Sequence, residues 1–242
     1  MNQVSSRQKR FNVVLLTIFT LSALIGFAFL GVSVWGDLEA SIFDMQFNGE
    51  EPLGTLSCPV LITPNETGKI SAKISNPINN MIKPSIRLHI SSSHLAIPRE
   101  ENIRFQLAPS ESKKLDWTVD PQQDAAFGDM VLVKVYMFRN YPIPSKDATC
   151  GILVLDLPIS SKLFLYGGIG MSFVGMLASI GFWYRNNPLM TKRQREIYRA
   201  IWILAASIII GLLASLFGFW LIGSIGIVVT LLMTFGTIFQ MI

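Results

Sequence analysis

Across the last 43 residues, Ala200 to Ile242, there is no Asp, Glu, Lys, Arg or His. Two further stretches, Phe11–Trp35 and Leu163–Tyr184, are equally free of charge, and none of the three contains proline. Charged residues make up 15% of the chain, against about 25% in a typical soluble domain. One membrane crossing takes about 20 apolar residues, so the last stretch is long enough for two. The same deficit argues against a group of functions. Proton relays, ion pathways and voltage sensors rest on ionisable side chains within the membrane. A proton-coupled transporter or an ion-selective pore built from this chain alone is not expected.

Histidine and cysteine are scarce as well, with two of each: His89, His94, Cys58 and Cys150. A blue-copper centre needs a Cys, two His and usually a weak Met. Cys150 is followed by Gly-Ile-Leu-Val-Leu-Asp-Leu-Pro, which supplies neither His nor Met. His89 reads as a strand-face residue and His94 as a loop residue, and no nucleophile elbow marks a serine hydrolase. The Asp120-Pro121-Gln122-Gln123-Asp124 segment lacks the alternating acids and central Gly of a calcium loop, and reads as a solvated turn. No catalytic, metal or cofactor residues are expected, nor an enzyme, nor an evident small-molecule substrate.

What is present divides the chain in two. Eleven of the twelve prolines lie between Pro52 and Pro158. Residues 36–162 carry 15 acids and 12 bases, whereas the excess positive charge sits in two short segments. One holds Arg7, Lys9 and Arg10; the other holds Arg185, Lys192, Arg193, Arg195 and Arg199 against Glu196 alone. Short basic segments beside apolar spans remain in the cytoplasm. That rule accounts for the basic balance without nucleic acid.

The expected order is a cytoplasmic basic tail (1–10), transmembrane helix 1 (11–35), an extracytoplasmic domain (36–162), helix 2 (163–184), a cytoplasmic basic loop (185–199), helix 3 (200–217) and helix 4 (219–242). A turn near Gly218 would join the last two helices. Both termini then face the cytoplasm, and the protein is a multi-pass protein of the cytoplasmic membrane. The first span also fits a signal peptide, with Gly31-Val32-Ser33 as a cleavage site. Its apolar core is longer than the usual 7–15 residues of such a segment, which favours a retained anchor.

Small residues recur at four-residue spacing on the helices. They are Gly175 and Ser179 on helix 2; Ser207, Gly211 and Ser215 on helix 3; and Gly226, Thr230 and Thr234 on helix 4. Such faces let backbones approach closely. They would pack the four helices together or dock another membrane subunit.

Between about Ala40 and Leu157 the period falls to two. Ser71–Ser75, Ser85–Ser91, Asn102–Leu107, Lys114–Val119, Met130–Phe138 and Gly151–Leu157 alternate. Turn chemistry separates them, as in Pro64-Asn65-Glu66-Thr67-Gly68 and Phe127-Gly128-Asp129. Seven or eight short strands without a helical window predict an antiparallel β-sandwich. Cys58 and Cys150 fall in its expected first and last strands. In an oxidising compartment they would form a disulfide closing about 93 residues, worth on the order of 4 kcal/mol; two free thiols are the alternative. Phe127, Phe138 and Tyr141 are candidate interface residues, or else pack the end of the sandwich.

The segment Leu107-Ala108-Pro109-Ser110-Glu111-Ser112, followed by the alternating Lys113–Val119 strand, resembles immunoglobulin-like modules of the CARDB and NEW3 type. Asn76-Pro77 after a strand and Gly128 before the Met130–Phe138 strand fit the same pattern. The likeness covers about residues 55–157. It implies a fibronectin-like sandwich acting as a non-catalytic adhesion or spacer module in a prokaryotic cell envelope, and it carries over no functional residues. The expected fold is therefore four transmembrane α-helices plus one extracytoplasmic all-β immunoglobulin-like sandwich. The expected partners are the lipid bilayer and another membrane or envelope protein. The expected role is protein interaction or complex assembly; the alternative is an accessory subunit of a transporter or membrane enzyme complex whose chemistry lies on other chains.

Overall fold

The computed structural model describes residues 6–93, 98–126, 128–187 and 192–239. The chain forms two units: a helical unit of residues up to Val32 and from Leu163 onward, and a β unit, Ser33–Lys162.

The elements run α1 (Ser6–Ile42), β1 (Glu51–Pro52), β2 (Leu61–Ile62), β3 (Gly68–Ser75), β4 (Ser85–Ile90), β5 (Arg99–Arg104) and β6 (Ser112–Val119). There follow α2 (Pro121–Asp124), β7 (Met130–Met137), β8 (Lys146–Val154), α3 (Ser161–Asn186), α4 (Lys192–Leu216) and α5 (Trp220–Phe239).

In the β unit one sheet has the order β1-β8-β7-β4-β5, with β2 also pairing with β8. The other is the antiparallel pair β3–β6, in register from Gly68↔Val119 to Ser75↔Ser112. Alternation aims Ile70, Ala72 and Ile74 of β3 and Leu115, Trp117 and Val119 of β6 at one core. Ile86, Leu88, Ile90, Val131, Val133, Val135 and Ile152 from the larger sheet join the same cluster.

The strands β3, β4, β6 and β7 follow the alternating runs to within about three residues, whereas β5 (Arg99–Arg104) and β8 (Lys146–Val154) begin three and five residues before the Asn102–Leu107 and Gly151–Leu157 runs, and there are two further departures. The sheet is not wholly antiparallel, because β1 and β2 both run parallel to β8. Cys58 lies between these two stubs rather than in a strand. Pro52 and Pro59 lack the N–H that a continuous edge strand would donate, so the pairing there is broken. Cys58 nevertheless forms a disulfide with Cys150 of β8, Cα to Cα 6.5 Å.

The first helix does not stop at Trp35. It continues through Gly36-Asp37-Leu38-Glu39-Ala40-Ser41-Ile42, where a β module was expected to begin. Leu, Glu and Ala are good helix formers, and no breaker interrupts them. The helix ends where Asp44 takes a left-handed φ of 51°, a conformation Asp tolerates better than most residues. Gly36 lies directly on Gly151 of β8: a Cβ built on Gly36 would meet the Gly151 carbonyl oxygen at 3.1 Å. The Gly151 amide hydrogen-bonds Asp37.

Three helices, not four, are long and apolar enough to cross a membrane among the described residues: Arg10–Ile42, Ser161–Asn186 and Gln194–Leu216. The fourth expected span gives an apolar helix, Trp220–Phe235, that is shorter. Gly218 turns between α4 and α5 with φ 81°. Gly218 N donates to Ser215 O at 2.9 Å, and Phe219 N donates to Ala214 O at 2.9 Å. This is the Schellman arrangement, which satisfies the last carbonyls of α4.

At the start of α3, Glu66 of the β2–β3 turn accepts from the Ser161 amide at 3.2 Å and from the Thr63 amide at 3.2 Å. The Ser161 hydrogen bond, and with it the Thr63 amide, hold the Glu66 carboxyl below its ordinary value. A depressed folded pKa stabilises above the unfolded value, about 4.3 for glutamate, and that contribution disappears as pH falls through the folded pKa. Glu66→Gln should therefore lower the thermal midpoint of the β unit near neutral pH. The gap from wild type should close below about pH 4. Melts followed by circular dichroism across that range check it.

A second prediction concerns the contact of Gly36 with Gly151. Gly151→Val would drive side-chain carbons into the Gly36 backbone. Overpacking of this kind costs about 1–3 kcal/mol. It should raise hydrogen exchange at Gly36–Ile42 and leave β3 and β6 unchanged.

Candidate functional site

The outer face of the larger sheet, turned away from the core, carries a connected polar cluster. Register sets it out in rows. Glu100 of β5, His89 of β4, Lys134 of β7 and Thr149 of β8 lie side by side; Asn102, Arg87, Tyr136 and Asp147 form the next row. Residues facing outward from a sheet are ordinarily wet. Here the segment Phe43–Gly49, which follows α1, contacts them, and His89 and Lys134 are buried.

Lys134 is 2% exposed. Its ammonium donates to the Asp44 carbonyl at 3.1 Å and to Asn48 Oδ1 at 2.9 Å, with Asp147 Oδ2 3.8 Å away. Asp147 also accepts from the Gly49 amide at 3.1 Å. His89 Nδ1 makes a short hydrogen bond with the Asp44 carboxylate. Glu100 Oε2 lies 3.4 Å from His89 Nε2. Nε2 is not aligned for a hydrogen bond there. The Phe47 ring packs edge-on against His89 at 5.6 Å, and the Arg87 guanidinium sits 4.7 Å above Phe47. Arg87 Nε reaches Glu100 at 3.1 Å. The Asn102 amide, then Arg87 and His89, hold the Glu100 carboxyl below its usual range.

A carboxylate on Nδ1 of a histidine is the orienting half of a catalytic triad. The other half is different here: Nε2 faces a second carboxylate, not a hydroxyl or thiol. Among the described residues, no three imidazole, carboxylate or thiolate groups are placed to share a metal ion. What this arrangement does is hold the covering segment down. A buried ion is tolerated when it is paired and hydrogen-bonded, and every pairing of Lys134 and His89 with residues 43–49 ties that segment to the sheet.

The sequence-predicted residues fall into three groups. On the helices, most of the small residues pack against one another. Ser207 Oγ is 2.9 Å from Thr230 Oγ1, and a Cβ on Gly226 would meet the Gly211 Cα at 3.2 Å. Gly175 lies against Ser22 of α1, and Ser215 is buried. Thr234 bonds the Thr230 carbonyl at 2.8 Å. Ser179 is also buried, but its hydroxyl meets no partner among the described residues.

In the β unit, Phe138 is half-buried and engaged. Its ring is 4.9 Å from Tyr136, and Arg87 lies 5.2 Å over it. Tyr141, by contrast, stands 86% exposed. Phe127 and His94 lie outside the described residues.

The Asp120–Asp124 segment is not a solvated turn. It is the one-turn helix α2, capped by Asp120. Asp124 is buried and takes two hydrogen bonds from Arg99, at 3.1 and 3.0 Å. Burial pushes its carboxyl above the ordinary range against the pull of Arg99. The cluster on the outer face had one sequence signal that alternation alone did not exploit: a single lysine in the middle of Val131–Tyr136.

No protein-family model matches the chain, and no curated protein matches it. Among solved structures, the chain is similar over part of its length to a CARDB domain from Pyrococcus furiosus, crystallised with two metal ions. The two are 16% identical, with 41% of this chain and 84% of that one covered and a TM-score of 0.32. A superoxide reductase from Ignicoccus hospitalis is 10% identical over 44% of this chain and 82% of that one, TM-score 0.32. A Bacteroides uniformis β-glucuronidase is 12% identical over 39% of this chain and 12% of that one, TM-score 0.28.

Removing one partner of a buried charged hydrogen bond costs about 1.5–3 kcal/mol, whereas an exposed ion pair is worth under about 1 kcal/mol. Asp44→Ala should therefore destabilise the β unit by about 2 kcal/mol in chemical denaturation, and Glu196→Ala, which breaks only the exposed pair with Arg199, by next to nothing. Equal effects would mean that the outer-face cluster holds nothing down.

Proposed function

We propose that this chain is a non-catalytic, multi-pass protein of the cytoplasmic membrane. It presents its β unit outside the membrane, as an immunoglobulin-like domain for protein interaction or complex assembly. The observation that carries this reading is the disposition of charge. The stretches Phe11–Trp35, Leu163–Tyr184 and Ala200–Ile242 hold no Asp, Glu, Lys, Arg or His, and arginines gather at 7–10 and 185–199, the segments retained in the cytoplasm. The four-pass order with both termini inside follows from that sidedness, α5 completing the hairpin with α4.

The β unit's chemistry supports the non-catalytic part. Its buried ionisable groups are engaged with one another or with the segment covering them, as Asp44 is with His89, Lys134 with Asn48 and Arg99 with Asp124. The small-residue faces are taken up largely within the helical unit, which moves the expected partner contact to the β unit. Tyr141 is the leading anchor there, since exposed aromatics are frequent interface hot spots.

The test is affinity purification of the full chain from gently solubilised membranes, with wild type and Tyr141→Asp compared by mass spectrometry. The expected result is one membrane or envelope protein recovered near stoichiometry with wild type and reduced at least about tenfold by the substitution, as loss of a 1.4 kcal/mol contact implies. A lone monomer in both preparations contradicts the reading. Recovery of an ATPase or polytopic permease would specify an accessory subunit.

A further inference from the structure

The smaller sheet has two edges, and the described chain covers one of them. Along β3, Ser57 and Ser71 exchange main-chain hydrogen bonds at 2.8 and 2.9 Å, and Thr55 Oγ1 donates to the Lys73 carbonyl at 2.7 Å. The main-chain groups of Ser71 and Lys73 therefore point away from β6. In an antiparallel pair, two residues directly opposite each other either exchange hydrogen bonds or both turn outward. Asp116 and Lys114 stand opposite Ser71 and Lys73. Their amides and carbonyls thus turn outward as well, along the far edge of β6.

That edge is closed at one end. The Thr118 carbonyl accepts from Arg99 Nη2 at 2.7 Å. The amides and carbonyls of Lys114 and Asp116 meet no partner among the described residues. Two residues apart on one edge, they present the spacing that the ladder of a further strand requires.

Charge gives the edge a preference. The exposed face of this sheet carries Lys69 and Lys73 on β3, and Lys114 and Asp116 on β6. Asp116 serves two of the lysines, Lys69 at 3.2 Å and Lys114 at 3.6 Å. Lys73 meets no carboxylate among the described residues, and it lies directly across from Lys114. Like charges so placed destabilise a sheet. Glu111, which precedes β6, is turned to the Ala108 amide at 2.6 Å, and Lys113 Nζ sits 4.7 Å over the Phe105 ring. The face stays basic on a unit whose acids outnumber its bases, 15 to 12. Lysines on an open edge discourage pairing with a neutral or basic strand. They attract an acidic one.

We propose that β6 is a docking edge for an extended acidic segment of a partner protein. The segment adds to the β3–β6 pair as a further strand and exchanges main-chain hydrogen bonds with Lys114 and Asp116. One of its carboxylates stands opposite Lys114 and supplies the counter-charge that the Lys73–Lys114 pair lacks. The main-chain bonds hold the segment, and the carboxylate selects it. This rests on the reading above that the β unit meets a protein partner, but at a surface other than Tyr141.

The test offers three capped seven-residue peptides to the detergent-purified full chain. One alternates valine and glutamate, one alternates valine and lysine, and the third is the glutamate peptide N-methylated throughout, which cannot donate. Hydrogen exchange is read residue by residue across Ser112–Val119. The glutamate peptide should slow exchange at the Lys114 and Asp116 amides, and the other two should not. Lys114→Glu and Lys73→Glu should each weaken binding of the glutamate peptide roughly fivefold, the ratio that about 1 kcal/mol gives. Both lysines are exposed, so neither substitution disturbs the core.

Equal slowing by the glutamate and lysine peptides, or slowing by the methylated peptide, overturns the proposal. So does a glutamate peptide that fails to bind, or that binds and leaves both amides exchanging as before, the mark of charge attraction alone. A chain that recovers a Tyr141-dependent partner but ignores the glutamate peptide loses this edge alone. A chain that binds the peptide but purifies as a lone monomer loses the Tyr141 contact and keeps the edge.

Discussion

Hydrocarbon tolerates neither an unpaired backbone amide nor an unpaired ion, and the distribution of charge along this chain is compatible with that constraint. Where described, its apolar stretches meet the first condition by forming helices joined at Gly218 by a hydrogen-bonded turn, and the second by holding no Asp, Glu, Lys, Arg or His. The polar groups left within them include Asn12, whose amide donates to Asn187 Oδ1 at 3.2 Å, and hydroxyls, several of which return to a helix carbonyl, as Thr17 does to Val13 at 3.0 Å. Everything that carries charge is displaced to the basic ends or to the β unit. The Schellman turn at Gly218 serves the same end, since it closes the last carbonyls of α4 without a charged cap.

The β unit meets a related condition in a different way. It does bury ions, but each has partners. Lys134 reaches a carbonyl, an amide oxygen and, at longer range, a carboxylate; His89 sits between two carboxylates. Because those partners come largely from Asp44, Asn48 and the turn between them, burial of the charges and docking of the covering segment are one event. Gly36 and Gly151 allow it, since without side chains the end of α1 approaches β8 closely enough to begin the cover. The disulfide from Cys58 to Cys150 secures a neighbouring weak point, where prolines have cut the edge strand into two stubs.

Much of the fold was legible in the sequence, and the limits are physical. Apolar length revealed the helices, and alternation located β3, β4, β6 and β7 to within about three residues but set β5 and β8 too late along the chain. Gly218 marked its turn. His89 was legible as a strand-face residue, and Lys134 lies within the alternating Met130–Phe138 run. What period cannot say is whether such a face is wet, because the cover comes from a segment far away in sequence. The extension of α1 to Ile42 was hidden for a similar reason: seven residues of mixed character fit a helix end or a strand start equally well. The pairing of β1 and β2 parallel to β8 left no local signal. For the candidate sites, the small residues of the helices were found by spacing, whereas the cluster around His89 required the register of four strands.

The account depends most on which side of the membrane the β unit occupies. Single cysteines placed by substitution at Tyr141, in the β unit, and at Lys192, in the basic segment, would each be offered a membrane-impermeant maleimide on intact cells, with the native disulfide left in place. The account predicts that the Tyr141→Cys protein is labelled on intact cells and the Lys192→Cys protein only after permeabilisation. Labelling of the Lys192→Cys protein alone on intact cells would contradict it, and the β unit would then face the cytoplasm.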